Sequence, residues 1–271
     1  MQREVIELKL GCNTVLFNKL DLSGALQYIS WAGYDGAELA FLRNMAMHVE
    51  LRTDRAYIDE VKSMARNLGL EFFAIEAAGT KEEIVKLFEV SSELGIKTIA
   101  IGSGGKSGDT QQTEKAFAYI RELAELAESW KIILAVKPHV GASVYNTETA
   151  LKLLHEVDLP SVGINFDPSH LYRAGDDLVD AAQKLGSRIV HSHFRDCPQR
   201  AEGPGLPEEQ IPGRGKIDMI SVLRALKDAG YDKVLDLEVI GAFTYPLPRQ
   251  MGIAAEARGY LNRCLQELKM R

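Results

Sequence analysis

The sequence predicts an α/β fold, a (β/α)8 barrel in one domain. Eight short β-like runs alternate with longer runs of helical periodicity along the chain. The length of 271 residues is close to the roughly 250 residues typical of such barrels. Polar and ionisable residues collect at the carboxyl ends of the last four runs, where barrel enzymes place their chemistry. We therefore expect a single domain that covers residues 1–271.

From the second strand onward, each predicted strand is followed by a predicted helix. The strands cover residues 7–12, 36–40, 71–75, 98–101, 132–138, 162–167, 189–195 and 234–240. The helices cover residues 54–68, 80–94, 113–129, 147–156, 176–185, 218–229 and 247–269. Residues that favour helix N-caps stand at five of the starts, namely Asp54, Thr80, Thr113, Thr147 and Asp218.

Composition and charge exclude several classes of protein. The net charge is −6 and the basic residues form no stripe, so nucleic acid is not an expected partner. No apolar run approaches the length of about 18 residues that a transmembrane helix needs, so no membrane contact is expected. The charged N-terminus lacks a signal-peptide pattern, and the three cysteines are widely spaced. These features predict a cytoplasmic protein without disulfides.

One long irregular segment interrupts the alternation after the seventh strand. Residues 197–216 contain four prolines and no helical or strand pattern. Loops of this length in compact domains commonly cover functional sites. We expect this segment to lie over the carboxyl ends of the strands.

Ionisable side chains alternate with apolar ones in the last four strands. Since neighbouring strand residues point to opposite faces, one face is apolar and packs on the helices. The other face carries Lys137, His139, Asn165, Asp167, His191, His193, Arg195, Asp236 and Glu238. Burial of so many ionisable groups is costly unless they are paired or coordinate a metal. Asp167, His193 and Glu238 stand on three adjacent strands, and this donor set suits Mn, Mg, Co, Fe or Zn as a divalent ion.

The same runs resemble the motifs of a known family. They are GINFDPSHL at 163–171, VHSHFRD at 190–196, PGRGKID at 212–218 and KVLDLEV at 233–239. In this order and spacing they resemble the xylose isomerase-like TIM barrels, the sugar phosphate isomerase/epimerase family. LKLGCNT at 8–14 and YDGAELA at 34–40 resemble the family's first two strand motifs more weakly.

The resemblance implies roles for particular residues. Asp167, His193 and Glu238 would bind the metal, and Glu238 would also act as an acid or base. His170 and Arg195 would contact the substrate. The implied enzyme is a sugar isomerase or epimerase of carbohydrate metabolism that acts on a small keto-sugar or sugar acid through a metal-bound enediolate. The family also suggests a homo-oligomer.

Lys137 departs from the family's pattern. The fifth strand of these enzymes normally ends in a glutamate that binds metal and moves a proton, whereas this strand reads KIILAVKPHVG. An ammonium at this place favours an anionic substrate or intermediate. The guanidinium of Arg195 also suits a carboxylate or phosphate.

Three interpretations of Lys137 stay open. In the first, Lys137 is the acid or base of an isomerase or epimerase. In the second, a metal holds a 3-oxo sugar acid, decarboxylation or elimination leaves an enolate, and Lys137 protonates it. In the third, Lys137 forms a salt bridge with Asp167 or Glu238, no metal binds, and the barrel binds a sugar without catalysis.

Other residues near the strand ends carry weaker signals. Glu38 and Glu76 follow the second and third strands and are expected to bind sugar hydroxyls or to form structural salt bridges. His139 is expected to contact the substrate. Asp236 lies deeper in the barrel and is expected to support the site residues from behind or to belong to a polar core network.

Overall fold

Eight parallel strands form the predicted barrel. The computed structural model describes residues 7–200 and 203–271. The barrel strands, numbered β1 to β8, are Leu10–Asn13, Gly36–Leu42, Glu71–Ala78, Thr98–Gly102, Ile133–Lys137, Val162–Phe166, Ile189–Ser192 and Leu235–Leu237. Each strand from β1 to β6 pairs in parallel with the next, and β1 also pairs with β8. A parallel bridge between His193 and Asp236 joins the ends of β7 and β8.

Helices surround the barrel. In chain order, α1 to α9 are Leu22–Trp31, Arg55–Leu68, Lys81–Leu94, Thr110–Glu128, Thr147–Val157, Pro168–Arg173, Leu178–Leu185, Met219–Asp228 and Leu247–Glu267. A short strand, Ala46–Met47, pairs antiparallel with the end of β2. Among the described residues, none of the helices is long and apolar enough to cross a membrane.

The N-caps show where local sequence reasoning succeeds and where it fails. Asp54, Thr80 and Asp218 each accept a backbone N–H in the first turn of a helix, as predicted. The predictions for Thr113 and Thr147 are wrong. Asp109 caps α4 and Asn146 caps α5, and both of these residues accept a backbone N–H three residues later. Thr113 and Thr147 lie inside the first turn, because Asp and Asn compete well for the cap position.

Strands β7 and β8, which lead into candidate site residues, are shorter than predicted. Strand β7 ends at Ser192 and β8 ends at Leu237. His193, Arg195 and Glu238 therefore lie just beyond regular strand geometry, at the mouth of the barrel. Their side chains are nevertheless almost fully buried.

The two faces of the strands separate as the alternation predicts. Leu134, Ile164 and Leu235 are fully buried in the main hydrophobic cluster. Asn165 and Asp236, which alternate with such residues, are also fully buried. The apolar shell holds the strands rigidly, and the polar residues at their ends are fixed relative to one another.

Candidate active site

The ammonium of Lys137 lies at the centre of the polar cluster at the barrel mouth. Its Nζ is 2.5 Å from Oε1 of Glu76, 2.8 Å from Oε1 of Glu238 and 3.3 Å from Nδ1 of His193. These residues come from the ends of β5, β3, β8 and β7, so four strands converge on one nitrogen atom. Only 7% of the Lys137 surface is exposed.

A second cation, Arg195, lies beside this group. Its Nη2 is 3.2 Å from Oδ2 of Asp167 and 3.2 Å from Oε2 of Glu238. The same nitrogen is 2.8 Å from Nε2 of His170, and Nε donates to Oγ of Ser169 at 3.0 Å. Arg195 thus connects the ends of β6 and β8.

Asp167 is held by the helix that it caps. Its Oδ1 accepts the backbone N–H groups of Ser169 and His170 at 2.9 and 3.2 Å. Pro168 occupies the first helical position, where its missing N–H costs nothing. One carboxylate oxygen therefore anchors α6, and the other faces Arg195.

Glu38 organises the inner wall of the site. Its Oε2 lies 2.7 Å from Nε2 of His193, and its Oε1 lies 3.1 Å from Nε2 of His191. The Asn13 amide donates to Glu38 at 2.7 Å and to Glu76 at 2.8 Å. Sequence reasoning assigned no role to Asn13. Asn13 ends the first strand, in the LKLGCNT run, and this position would have indicated a side chain at the barrel mouth.

The charges in this cluster shift one another's pKa values. Burial alone would lower the pKa of Lys137, but the carboxylates of Glu238 and Glu76 raise it above its usual value. Burial and the charge of Glu238 raise the pKa of Glu76 to about 7. Burial alone would raise the pKa of Asp167, but Arg195 lowers it to about 2. Lys137 and Asp167 are therefore both charged at neutral pH.

Two histidines form the rim of the site. The rings of His139 and His170 lie 4.1 Å apart between centroids. His139 is exposed, whereas His170 is buried and its Nδ1 accepts the backbone N–H of Val140 at 3.3 Å. His139 lies at the entrance and does not join the group around Lys137.

The long segment after β7 reaches the site through Gln210. Its side chain is fully buried and pairs with the backbone of Ile240 through two hydrogen bonds of 2.8 and 2.9 Å. Its Oε1 is also 3.4 Å from Nη1 of Arg195. The described parts of segment 197–216 therefore contact the mouth, as predicted, while residues 201–202 lie outside the described residues.

Asp236 lies inside the barrel behind the site, as predicted, but among the described residues it joins no hydrogen-bonded network. Neither carboxylate oxygen has a hydrogen-bond partner among the described residues, although the side chain is fully buried. Burial, followed by the charge of Glu38, raises its pKa well above the usual value. A Cβ atom at Gly11 would lie 2.6 Å from Oδ2 of Asp236, so glycine is required beside it.

Two groups of side chains have the donor atoms and spacing of a divalent-metal site. One is Glu38, His191 and His193, and the other is Glu76, His193 and Glu238. In the first group the donors hydrogen-bond to each other. In the second, Lys137 contacts all three side chains. A metal in the second group does not fit this arrangement, because the position between the donors holds an ammonium.

The comparison with known families identifies the class of this barrel. Residues 26–264 match the family described as xylose isomerase-like TIM barrel. The chain belongs to this family, and the predicted fold and family are confirmed.

Relatives among curated proteins point to the same class. An inosose isomerase of Bacillus licheniformis is 26% identical, and the match covers 84% of this chain and 87% of that protein. An uncharacterized protein of Methanocaldococcus jannaschii is also 26% identical, over 86% of this chain and 84% of that protein. Other relatives are named as an inosose dehydratase and a 3-dehydroshikimate dehydratase. The relatives that carry activity names are enzymes of the isomerase or lyase type, which confirms the predicted class of enzyme.

Solved structures share the fold at low sequence identity. A probable 3-DHS dehydratase of Bacillus anthracis superposes with a TM-score of 0.77 at 20% identity, over 94% of this chain and 100% of that one. A structure titled as an IOLI protein with a bound zinc atom gives a TM-score of 0.74 at 20% identity, over 93% and 96% of the two chains. At this level of identity the likeness shows the fold alone.

Proposed function

We propose that this barrel is an enzyme that transfers a proton next to a carbonyl group of a small sugar or sugar acid, as an isomerase or epimerase. The observation that carries the proposal is the contact of Lys137 with two carboxylates, Glu76 and Glu238, at the barrel mouth. A cation that polarises a carbonyl beside a carboxylate that accepts a proton is the pair that enolisation needs.

The site residues divide this chemistry among them. The Lys137 ammonium donates a hydrogen bond to the substrate carbonyl oxygen and stabilises the charge that develops there. The Glu238 carboxylate takes the proton from the neighbouring carbon, which gives an enediolate. Isomerisation is complete when the former carbonyl carbon receives this proton and the hydroxyl proton moves between the two oxygens. Epimerisation is complete when a proton reaches the opposite face of the same carbon and Glu238 releases the proton that it took.

The surrounding residues orient the substrate. Arg195 is the natural partner of an acidic or hydroxyl-rich substrate, since its fork can give parallel hydrogen bonds. His170 lies 2.8 Å from Arg195 and His139 stacks on His170 at the entrance. Glu38 and Glu76 complete the polar wall. The metal-ligand roles that the resemblance gives to Asp167, His193 and Glu238 stay predictions, and no step here depends on them.

A lyase is the second candidate, because two cations lie side by side at the mouth. Lys137 and Arg195 share Glu238 and favour a substrate with a carboxylate. A 3-oxo sugar acid that lost carbon dioxide would leave an enolate, which Lys137 would protonate at carbon. In a loss of water, the enolate forms first and expels hydroxide, and Lys137 would supply the proton to that hydroxide. The relatives named as dehydratases support this class of reaction.

The two reactions are separated by following carbon and hydrogen in the same assay. Keto-sugars, inososes and 3-oxo sugar acids are incubated with the protein in deuterium oxide and examined by NMR. Deuterium at the carbon beside the carbonyl without carbon loss supports an isomerase or epimerase. Carbon dioxide, or a product that has lost water, supports the lyase.

Variants connect the activity to the site. Glu238→Gln keeps the shape of the side chain and removes the base, so exchange should fall by about 100-fold or more. Glu125→Gln makes the same change on the exposed face of α4 and should leave exchange unchanged. Tight binding of a sugar with no turnover in either protein would support the non-catalytic barrel instead. The cytoplasmic location and the homo-oligomer stay predictions.

A further inference from the structure

Lys137 contacts the same three side chains that form the second metal-type group. The group is Glu76, His193 and Glu238, and its donor atoms all lie within 4.8 Å of one another. The ammonium contacts Oε1 of both glutamates and Nδ1 of the histidine at 2.5, 2.8 and 3.3 Å. The nitrogen therefore occupies the space where an ion shared by these three residues would bind.

Arg195 is a second cation beside this group, and it contacts Glu238 and the neighbouring Asp167. Oε1 of Glu238 faces Lys137 at 2.8 Å, and Oε2 of the same residue faces Arg195 at 3.2 Å. Arg195 also reaches Asp167 at 3.2 Å. Each oxygen of Glu238 therefore lies within ion-pair distance of a cation, although Oε2 shares Arg195 with Asp167 and receives no hydrogen bond from the described residues.

The formal charge of the site is the same with Lys137 and Arg195 as with one divalent cation in their place. When Glu76 is ionised, the three carboxylates of Glu76, Asp167 and Glu238 and the two cations Lys137 and Arg195 leave −1. Because the pKa of Glu76 is about 7, this form coexists with the protonated one at neutral pH. One divalent cation in place of the two side chains would leave the same −1. A divalent cation added to them would give +1 and would lie next to an ammonium, which repels it.

We propose that Lys137 and Arg195 together take the place of a divalent cation in this site, so that the protein works without a metal in the Glu76, His193 and Glu238 group. This inference rests on the proposed function for its catalytic meaning. The ammonium has three N–H donors and no coordination sphere. It binds a carbonyl or enediolate oxygen by hydrogen bonding, so a bound substrate exchanges one of the contacts that Lys137 now makes with the protein.

The test compares metal binding in four forms of the full chain. These are the wild type, Lys137→Glu, Lys137→Glu with Glu238→Ala, and Lys62→Glu as the matched control on the exposed face of α2. Metal content is measured by elemental analysis after incubation with Mn²⁺ or Zn²⁺ and desalting, and affinity for Mn²⁺ is measured by calorimetry.

The expected result is a gain of metal in one variant. Lys137→Glu should hold about one metal ion per chain and bind Mn²⁺ at least about tenfold more tightly than the wild type. Glu238→Ala should remove this gain, and Lys62→Glu should behave as the wild type. A wild type that already holds about one metal ion per chain after desalting would overturn the inference. So would a well-folded Lys137→Glu that gains no affinity.

A second variant protects the test against misfolding. If Lys137→Glu does not melt cooperatively, Lys137→Gln removes the charge with little change in volume and should still bind Mn²⁺ more tightly than the wild type. Unchanged affinity would contradict the inference. The two proposals can fail separately. If the variants bind metal as expected but the wild type turns over none of the keto-sugars, inososes and 3-oxo sugar acids, the proposed function is refuted and the inference about Lys137 and Arg195 is retained.

Discussion

Removal of the Lys137 ammonium should destabilise the protein far more than removal of an exposed lysine. The variant Lys137→Met keeps the length and volume of the side chain but leaves buried Glu76 without its cation and Glu238 with Arg195 alone. Loss of one partner from a buried ion pair typically costs about 3–5 kcal/mol. Since only 7% of Lys137 is exposed and both partners are buried, we expect a loss in this range from the free energy of unfolding, measured by urea denaturation at pH 7.5.

The matched control is Lys184→Met. Lys184 pairs with Asp180 at 2.8 Å on the surface of α7, where both side chains are more than half exposed. Such pairs contribute at most about 0.5 kcal/mol. Glu76→Gln added to Lys137→Met should recover part of the loss, because it removes the carboxylate that Lys137→Met leaves without a cation. Equal losses for Lys137→Met and Lys184→Met would refute the account of the site.

Three further predictions concern Gln210 in the long segment after β7, the ammonium of Lys137, and Asp35 just before β2. Gln210→Ala should cost about 1–3 kcal/mol of unfolding free energy by urea denaturation, because the backbone of Ile240 loses two hydrogen bonds. Lys137→Arg should retain substrate binding by calorimetry but lose turnover, since a planar guanidinium cannot reproduce the ammonium contacts. Burial would raise the pKa of Asp35, but hydrogen bonds from Arg271 and Leu10 lower it. Asp35→Asn should therefore lower the melting temperature at pH 7, and the difference should shrink as the pH falls below about 4.

Alternation along the strands predicted which residues gather at the mouth. Lys137, Asp167, His193, Arg195 and Glu238 all lie there, because the period of two fixes the face that each residue uses. The same reasoning applied to the apolar residues predicted the outer shell correctly.

The partners of each residue were not predictable from alternation. Lys137 was expected to pair with Asp167 or Glu238 if it formed a salt bridge, and it pairs with Glu76 and Glu238. Which side chains meet across a barrel depends on the stagger between strands, which no single strand encodes. Glu38 and Glu76 had two expected roles, and the structure shows ion pairs or hydrogen bonds for both.

The elements that sequence reasoning missed have weak local signals. Helix α1, Leu22–Trp31, begins with Leu-Ser-Gly, and a glycine in the first turn obscures the apolar repeat. Helix α6, Pro168–Arg173, has six residues and is too short for periodicity to appear. Asp167 caps this helix with one carboxylate oxygen and faces Arg195 with the other.

The most direct measurement is a crystal structure of the wild type grown with excess Mn²⁺ and without substrate. We expect Nζ of Lys137 to lie within hydrogen-bond distance of Glu76 and Glu238, with no anomalous manganese signal between these side chains and His193. A manganese ion bound there, with Lys137 turned away from both carboxylates, would contradict it.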